Sequence, residues 1–435
     1  AGMLLGVSEI SHSYPHCWRC KKPIIFRATE QWFISMATNG LRAKALEEIN
    51  RVSWIPHWGR DRIYGMVEGR PDWCISRQRS WGVPITAFLC QSCGEALADA
   101  AVMRHVADLF AEFGSDVWYE RDAADLLPRG TTCPACGSSN REKEMDILDV
   151  WFDSGVSHAA VLETRDNLSS PADMYLEGSD QHRGWFHSSL LVGVGTRGTA
   201  PYKNVLTHGF VLDGSGRKMS KSMGNVVAPE DVIKKFGADI LRLWTAAQDY
   251  RDDTRISPEI LNRVSEAYRR IRNTCRYILG NISDFNPATD SVPYALMTEL
   301  DRWALHQMET LKERILRAYE EYEFHIIYQM VNAFCSVEMS AFYLDILKDR
   351  LYSSRSDSLK RRSAQSALHQ ILDTLVKLVA PGLSFTADEV WWHMPGRDRD
   401  SVHLAAFPAP APEFKDDVLV ERWDAIIKVR GEGSK

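Results

Sequence analysis

Lys218-Met219-Ser220-Lys221-Ser222, preceded by Asp213-Gly-Ser-Gly216 and followed by Gly224-Asn225, is the stretch on which the reading of this chain turns. Two ammonium groups three positions apart on a glycine-flanked loop can reach round a polyphosphate as mobile point charges. Ser220 and Ser222 add hydroxyl donors. An isolated Lys-Ser cluster is most often only an exposed basic turn. Here the apolar runs Val205-Leu206 and Phe210-Val211-Leu212 precede it and read as strand. A strand running into a glycine-rich turn and then this pentapeptide turns those odds towards phosphate binding.

Working outward, a second signal lies 44 residues before Lys221: Tyr175-Leu-Glu177-Gly178-Ser-Asp180-Gln181-His182-Arg183-Gly184-Trp185-Phe186. A short apolar lead into Glu-Gly-x-Asp-Gln predicts a strand end opening into a helix. Carboxylates there can accept ribose hydroxyls, and Gly178 permits close approach of backbone to ligand. The plainer reading is a helix start with acids favoured by the helix dipole. Further upstream stands Asp149-Val150-Trp151-Phe152-Asp153-Ser154-Gly155. By itself a Trp-Phe pair reads as core.

The surrounding sequence sets the organisation. The chain has 435 residues, 45% hydrophobic and 25% charged, which is ordinary globular composition and too long for one core. A net charge of −6 excludes a bulk polycation, so any nucleic-acid contact needs a local basic face. No run reads as long enough to span a bilayer. The opening Ala1-Gly-Met-Leu-Leu-Gly-Val7 is a poor secretory signal, and a cytoplasmic protein is expected.

Nine cysteines, an odd number, argue against a disulfide framework and for metal binding in a reducing compartment. Cys90-Gln-Ser-Cys93 and Cys133-Pro-Ala-Cys136 form two knuckles whose four thiolates suit tetrahedral zinc in a closed structural site. Cys17 and Cys20 supply half of another site. Cys74, Cys275 and Cys335 read as buried apolar residues.

Four parts are expected: 1–86, mixed; 87–145, an insertion around the metal with a helix near 98–113; 146–250, an α/β layer with a helix from Pro229 to Ala247; and 251–435, long helices. Val264, Tyr268, Ile271, Cys275 and Ile278 make one apolar stripe, and Leu305, Met308, Leu311, Ile315, Ala318 and Tyr322 another. A third segment, His325 to Leu351, is apolar on most sides and should sit centrally. A fourth, Leu359 to Val379, stops at Ala380-Pro381-Gly382, and a last helix begins near Val418. Together these predict a bundle. Arg263, Arg269, Arg270, Arg272 and Arg276 lie to one side of the first stripe, a solvated face or a surface for nucleic acid.

The lysine loop, the Glu177–Trp185 segment and the Trp151 segment are similar in order and spacing to those of isoleucyl-tRNA synthetases, class I aminoacyl-tRNA synthetases. Trp73-Cys-Ile-Ser-Arg-Gln-Arg-Ser-Trp-Gly-Val-Pro84 and Tyr343-Leu-Asp-Ile-Leu-Lys-Asp-Arg-Leu-Tyr352 carry the resemblance further along the chain. It implies the second half of a Rossmann-like catalytic domain with a zinc-binding insertion, after the end of an editing insertion, and then an anticodon-binding bundle. It implies a ligase that joins isoleucine to its tRNA through an adenylate, using ATP and magnesium. Glu177, with Gly178, Asp180 and Gln181, matches the adenylate contacts. Lys221 matches an ATP contact, with Lys218 and Ser220 beside it. Trp151 and Trp185 match the walls of the isoleucine slot. Such a slot rejects a missing methylene only weakly, a property already documented for isoleucine ligases. The family's His-Ile-Gly-His phosphate motif is absent from this sequence. The resemblance therefore implies that an N-terminal half, in cis or in trans, is needed, and that the isolated chain is inactive. Two other readings stand beside it: a noncatalytic tRNA-binding module of the same fold, and a valyl-type ligase.

Overall fold

The computed structural model describes residue 3, residues 5–17 and residues 20–433. They fall into two compact units, 1–206 and 207–435. In the first, Tyr202–His208 is the middle strand of three, between Ser53–Ile55 and Ala172–Gly178. Val205 pairs with Trp54 and Leu206 with Ile55, in parallel. Parallel strands need helical crossovers that cover their faces. Helices Leu41–Arg51, Trp58–Glu68 and Trp185–Arg197 belong to this layer. Met36, Ala45, Ile49, Ile63, Val67, Phe186, Leu190 and Val205 make its buried core.

The segment around the cysteines has a core of its own. Strands Ala96–Leu97, Phe88–Cys90 and Arg141–Lys143 form a small antiparallel sheet. Helix Ala100–Phe113 starts where the Asp99 carboxylate accepts N–H groups from Ala101 and Val102. Phe88, Val102, Val106, Trp118 and Leu126 fill the space between. So small a core gives little stability by itself, and a metal staple would supply what it lacks.

In the second unit, Val211–Leu212 pairs in parallel with Thr254–Arg255, which ties the lysine-loop segment to the start of the helical part. The helix expected from Pro229 to Ala247 is instead two, Pro229–Phe236 and Ala238–Ala247. Gly237, at φ 90°, breaks them, a backbone conformation side chains resist. The bundle then runs through Pro258–Asn281, Glu299–Glu320, a continuous helical stretch Phe324–Ser353, Leu359–Val379 and a final helix Asp417–Gly433. Helix Ser384–Trp392 went unread in the sequence. Phe334–Tyr343 is π-helical. The 30-residue stretch Phe324–Ser353 is long and apolar enough to cross a membrane by length and composition, which corrects the reading that no run reaches that length. Its Val331, Phe334, Cys335, Met339, Tyr343 and Leu347 are buried in the bundle core. Asp301, fully buried, accepts hydrogen bonds from Tyr343 (2.8 Å) and Ser363 and pairs with Arg350 at 3.4 Å, joining three helices. A buried carboxylate needs that many partners.

Candidate functional site

The strand Ala172–Gly178 runs into a 3-10 turn, Ser179–Arg183, and then into the helix Trp185–Arg197. Gly184 is the corner. A Cβ there would come within 2.6 Å of Gln181 Oε1 and 2.8 Å of the Trp151 ring, so a larger residue would push those side chains aside. Gln181 Oε1 accepts the Trp185 backbone N–H at 3.0 Å, satisfying one of the helix's free donors. Trp185 stacks on Tyr175, rings 4.0 Å apart and 13° from parallel. Its indole N–H is shared between Ser154 O (3.1 Å) and Ser157 Oγ (3.0 Å). Trp151 and Trp185 are thus brought to one corner. Trp185 is pinned, whereas Trp151 keeps 41% of its surface open. Glu177 and Asp180 are exposed. Glu177 accepts the adjacent Gly178 N–H at 3.2 Å, and Asp180 accepts from Gln181 Nε2 at 3.1 Å, leaving carboxylate oxygens open to solvent.

Three histidines under this corner are buried: His158, His182 and His187. Burial lowers the pKa of each, with a lesser contribution from arginines nearby. His187 is the extreme case. Burial, then Arg70, holds it down to about 3, and among the described residues neither ring nitrogen has a hydrogen-bond partner.

The lysine loop, in the second unit, is organised by two residues to which the sequence reading gave no role. Asp213 is buried and accepts from Asn225 Nδ2 (2.9 Å), the Arg217 and Ser215 backbone N–H groups (2.9 Å each) and Arg217 Nε (3.1 Å). The Asn225 bond and the Arg217 N–H, against the opposing effect of burial, hold its carboxyl down to about 2. Asn225 in turn accepts the Ser220 N–H at 2.9 Å and donates to Lys218 O at 3.2 Å. Gly216 and Gly224 sit at φ 77° and 64°. Lys218 and Lys221 are exposed, and among the described residues neither has an ion-pair partner. Ser220 Oγ lies 3.2 Å from Ser222 Oγ.

The four knuckle cysteines converge, with all sulfurs within 4.8 Å of one another. The Cys90–Cys136 and Cys93–Cys133 sulfurs are each 3.6 Å apart. Four sulfurs placed tetrahedrally at zinc–thiolate distance stand about 3.8 Å apart, so the set fits that ion. The knuckles share one backbone plan. Gly94 N–H donates to Cys90 O and Gly137 N–H to Cys133 O, with both glycines left-handed at φ 75° and 73°. Burial works against the Cys90 thiolate, but N–H groups of Ser92 and Cys93 outweigh it and bring the thiol down to about 6. Cys17 and Cys20 lie outside this cluster, and Trp18 and Arg19 between them are outside the described residues. Cys275 and Cys335 are buried, but Cys74 is only half-buried, its thiol 3.5 Å from Gln31 Oε1.

An α/β layer with an acidic strand end and an indole corner, together with a two-lysine loop and a helical bundle, defines a class I synthetase plan. The chain belongs to that family: residues 9–257 match tRNA synthetases class I (I, L, M and V), and residues 301–432 match the anticodon-binding domain of tRNA ligase. Its relatives include an isoleucine–tRNA ligase of Geobacter sulfurreducens, 72% identical over 434 residues, covering 100% of this chain and 47% of the relative. Another is the isoleucine–tRNA ligase of Syntrophotalea carbinolica, 68% identical with the same coverage. The chain thus spans about half the length of these curated relatives. Methionyl-tRNA synthetase of Mycobacterium tuberculosis bound by methionyl-adenylate shares the fold, with TM-score 0.61 at 17% identity over 91% of this chain and 70% of that one. So does the ternary complex of Agrobacterium radiobacter K84 agnB2 LeuRS with tRNA and LeuAMS, with TM-score 0.59 at 20% identity over 79% and 42%.

Proposed function

We propose that this chain is the adenylate-holding, phosphate-clamping and anticodon-binding portion of an isoleucine–tRNA ligase, working with an N-terminal half that supplies the rest of the nucleotide pocket. The convergence of Trp151 and Trp185 on Gly184, one turn beyond Glu177, carries this reading. Two indoles suit a branched alkyl group, and the open carboxylate beside them suits an amine or ribose hydroxyl. The substrate carboxylate is already ionised at neutral pH, so attack on ATP needs alignment and charge neutralisation rather than a general base. Lys218 and Lys221 hold the phosphates as charge moves onto the leaving pyrophosphate. Magnesium, when bound with ATP, adds charge neutralisation at the same phosphates. The exposed Arg263, Arg269, Arg270, Arg272 and Arg276 of helix Pro258–Asn281 offer the tRNA backbone a basic face.

The test is isoleucine-dependent pyrophosphate exchange in an intact ligase carrying Trp185→Ala. The isoleucine requirement should rise about tenfold or more, the scale of removing an apolar pocket wall, while the ATP requirement holds. Equal loss for both substrates would overturn the slot. Cys90, Cys93, Cys133 and Cys136 are the proposed holders of one structural zinc. Elemental analysis should find zinc in the chain and none after Cys93→Ser with Cys136→Ser. Chelation should raise amide exchange in 87–145 before the bundle, because binding and local folding are linked. Unchanged zinc in the double variant would sink the assignment.

A further inference from the structure

Trp185 is held from the side by Ser154 and Ser157, and Trp151 stands at the front of the same short segment. Whatever fixes that segment therefore fixes both indoles. At its rear, Gly155 lies so close to the helix Trp185–Arg197 that a Cβ would meet Ser188 O at 3.0 Å. At its front the anchor is Asp149, 5% exposed. Asp149 Oδ1 accepts the Trp151 backbone N–H at 3.3 Å and caps the helix Val150–Gly155. Its Oδ2 accepts the Trp73 indole N–H at 3.3 Å and pairs with Arg77 Nη2 at 2.9 Å. Its own N–H donates to Ile75 O at 2.7 Å. One buried carboxylate so ties the segment carrying the slot to the strands Trp73–Cys74 and Ser76–Arg77. Phe152, next to Trp151, adds a ring contact to the same strands, 5.9 Å between its centroid and that of Trp73.

We propose that Asp149 is a positioning residue for side-chain selection, one that sets the spacing of the Trp151 and Trp185 indoles without touching substrate. This rests on the two-indole slot proposed above. A carboxylate used only to stabilise the fold would leave amino-acid choice unchanged when altered. One that sets the slot's width would change it, because selection between alkyl groups depends on contact with a rigid wall.

The experiment uses an intact ligase and compares Asp149→Ala, Asp149→Asn and Trp185→Ala. Exchange kinetics are measured with isoleucine, valine and ATP, and folding is checked by circular dichroism and thermal midpoint. Asp149→Ala should raise the isoleucine KM about tenfold, keep the ATP KM within about twofold and lower the isoleucine-over-valine ratio about fivefold. Asp149→Asn keeps one acceptor oxygen but turns an NH2 towards a donor and removes the charge facing Arg77, so it should recover only part of that loss. It also keeps the question open to test if the alanine variant does not fold. If Trp185→Ala shifts the ratio and neither folded Asp149 variant does, the slot stands and the positioning role is overturned. If Trp185→Ala leaves the ratio unchanged, the slot fails and the proposal falls with it.

Discussion

The corner around Gly184 and the lysine loop answer two needs by opposite means. Apart from the exposed Trp151, the corner is assembled from buried or half-buried parts: a stacked Tyr175–Trp185 pair, an indole N–H with two acceptors, and three buried histidines. The loop is exposed on most of its length and is organised by one carboxylate and one amide, Asp213 and Asn225. The difference follows from what each would contact. A wall that sorts alkyl groups works by fixed shape, so rigidity serves it. A clamp on a polyphosphate meets charge that moves during the reaction, so mobile ammonium groups on a tethered loop serve it.

The largest effect that would test this contrast is Lys221→Ala. In an intact ligase it should slow adenylate formation about a hundredfold, roughly 3 kcal/mol, the scale of losing a preorganised charged donor at developing charge. Isoleucine affinity should hold, because the corner is unaltered. Stopped-flow measurement of adenylate formation beside equilibrium isoleucine binding separates the two. An unchanged rate would remove the loop from the phosphate chemistry.

Acid should divide the regions next. His187 stays neutral in the folded protein down to about pH 3, whereas a free histidine protonates near 6.5. Between those values the unfolded chain binds the extra proton, so stability rises with pH and is lost as pH falls through the window. The slope is up to about 1.4 kcal/mol per pH unit for this one residue. Asp213 has the same sign in a lower window. Its lowered pKa favours the folded, ionised form above the free-aspartate value near 3.9, and that contribution fades only as pH falls towards about 2. On lowering pH from 6.5 to 5, amide exchange should rise in the helix Trp185–Arg197 and stay level in 213–225. His187→Leu should flatten the corner's response. A response equal in both regions, or unaltered by the substitution, would show that His187 does not set it.

How much of this the sequence disclosed depended on distance along the chain. Glu177 to Trp185, the lysine loop and the two cysteine knuckles are local patterns, and each could be quoted as a run. The bundle was legible because its stripes recur every three or four residues over long stretches. The break at Gly237 was not, since apolar periodicity runs through it and a single glycine inside a helical pattern is commonly tolerated. Asp149 was read only as a flank of Trp151, because its partners Trp73 and Arg77 lie more than 70 positions away. The stacking of Trp185 on Tyr175 likewise joins a helix to a strand, and no periodicity announces it.

The smallest effect is the most discriminating for the loop. Asn225 accepts the Ser220 N–H, and its Nδ2 donates to Asp213 and Lys218 O, so it closes the ring that begins at Asp213. Asn225→Ala removes those bonds but leaves both ammonium groups. A typical intramolecular hydrogen bond contributes about 1 kcal/mol, and one to a charged group somewhat more, so the closed arrangement should become a few-fold to about tenfold less populated. If the loop's task is to bring mobile charge to the phosphates, adenylate formation should fall by that population factor and no further, well short of the Lys221→Ala loss. Amide exchange across 213–225 should rise in parallel, while exchange in the helix Trp185–Arg197 stays level. Should Asn225→Ala instead cost as much as Lys221→Ala, the loop would be acting through one fixed geometry. It would then be as preorganised as the corner, and the contrast between a rigid wall and a mobile clamp would be wrong.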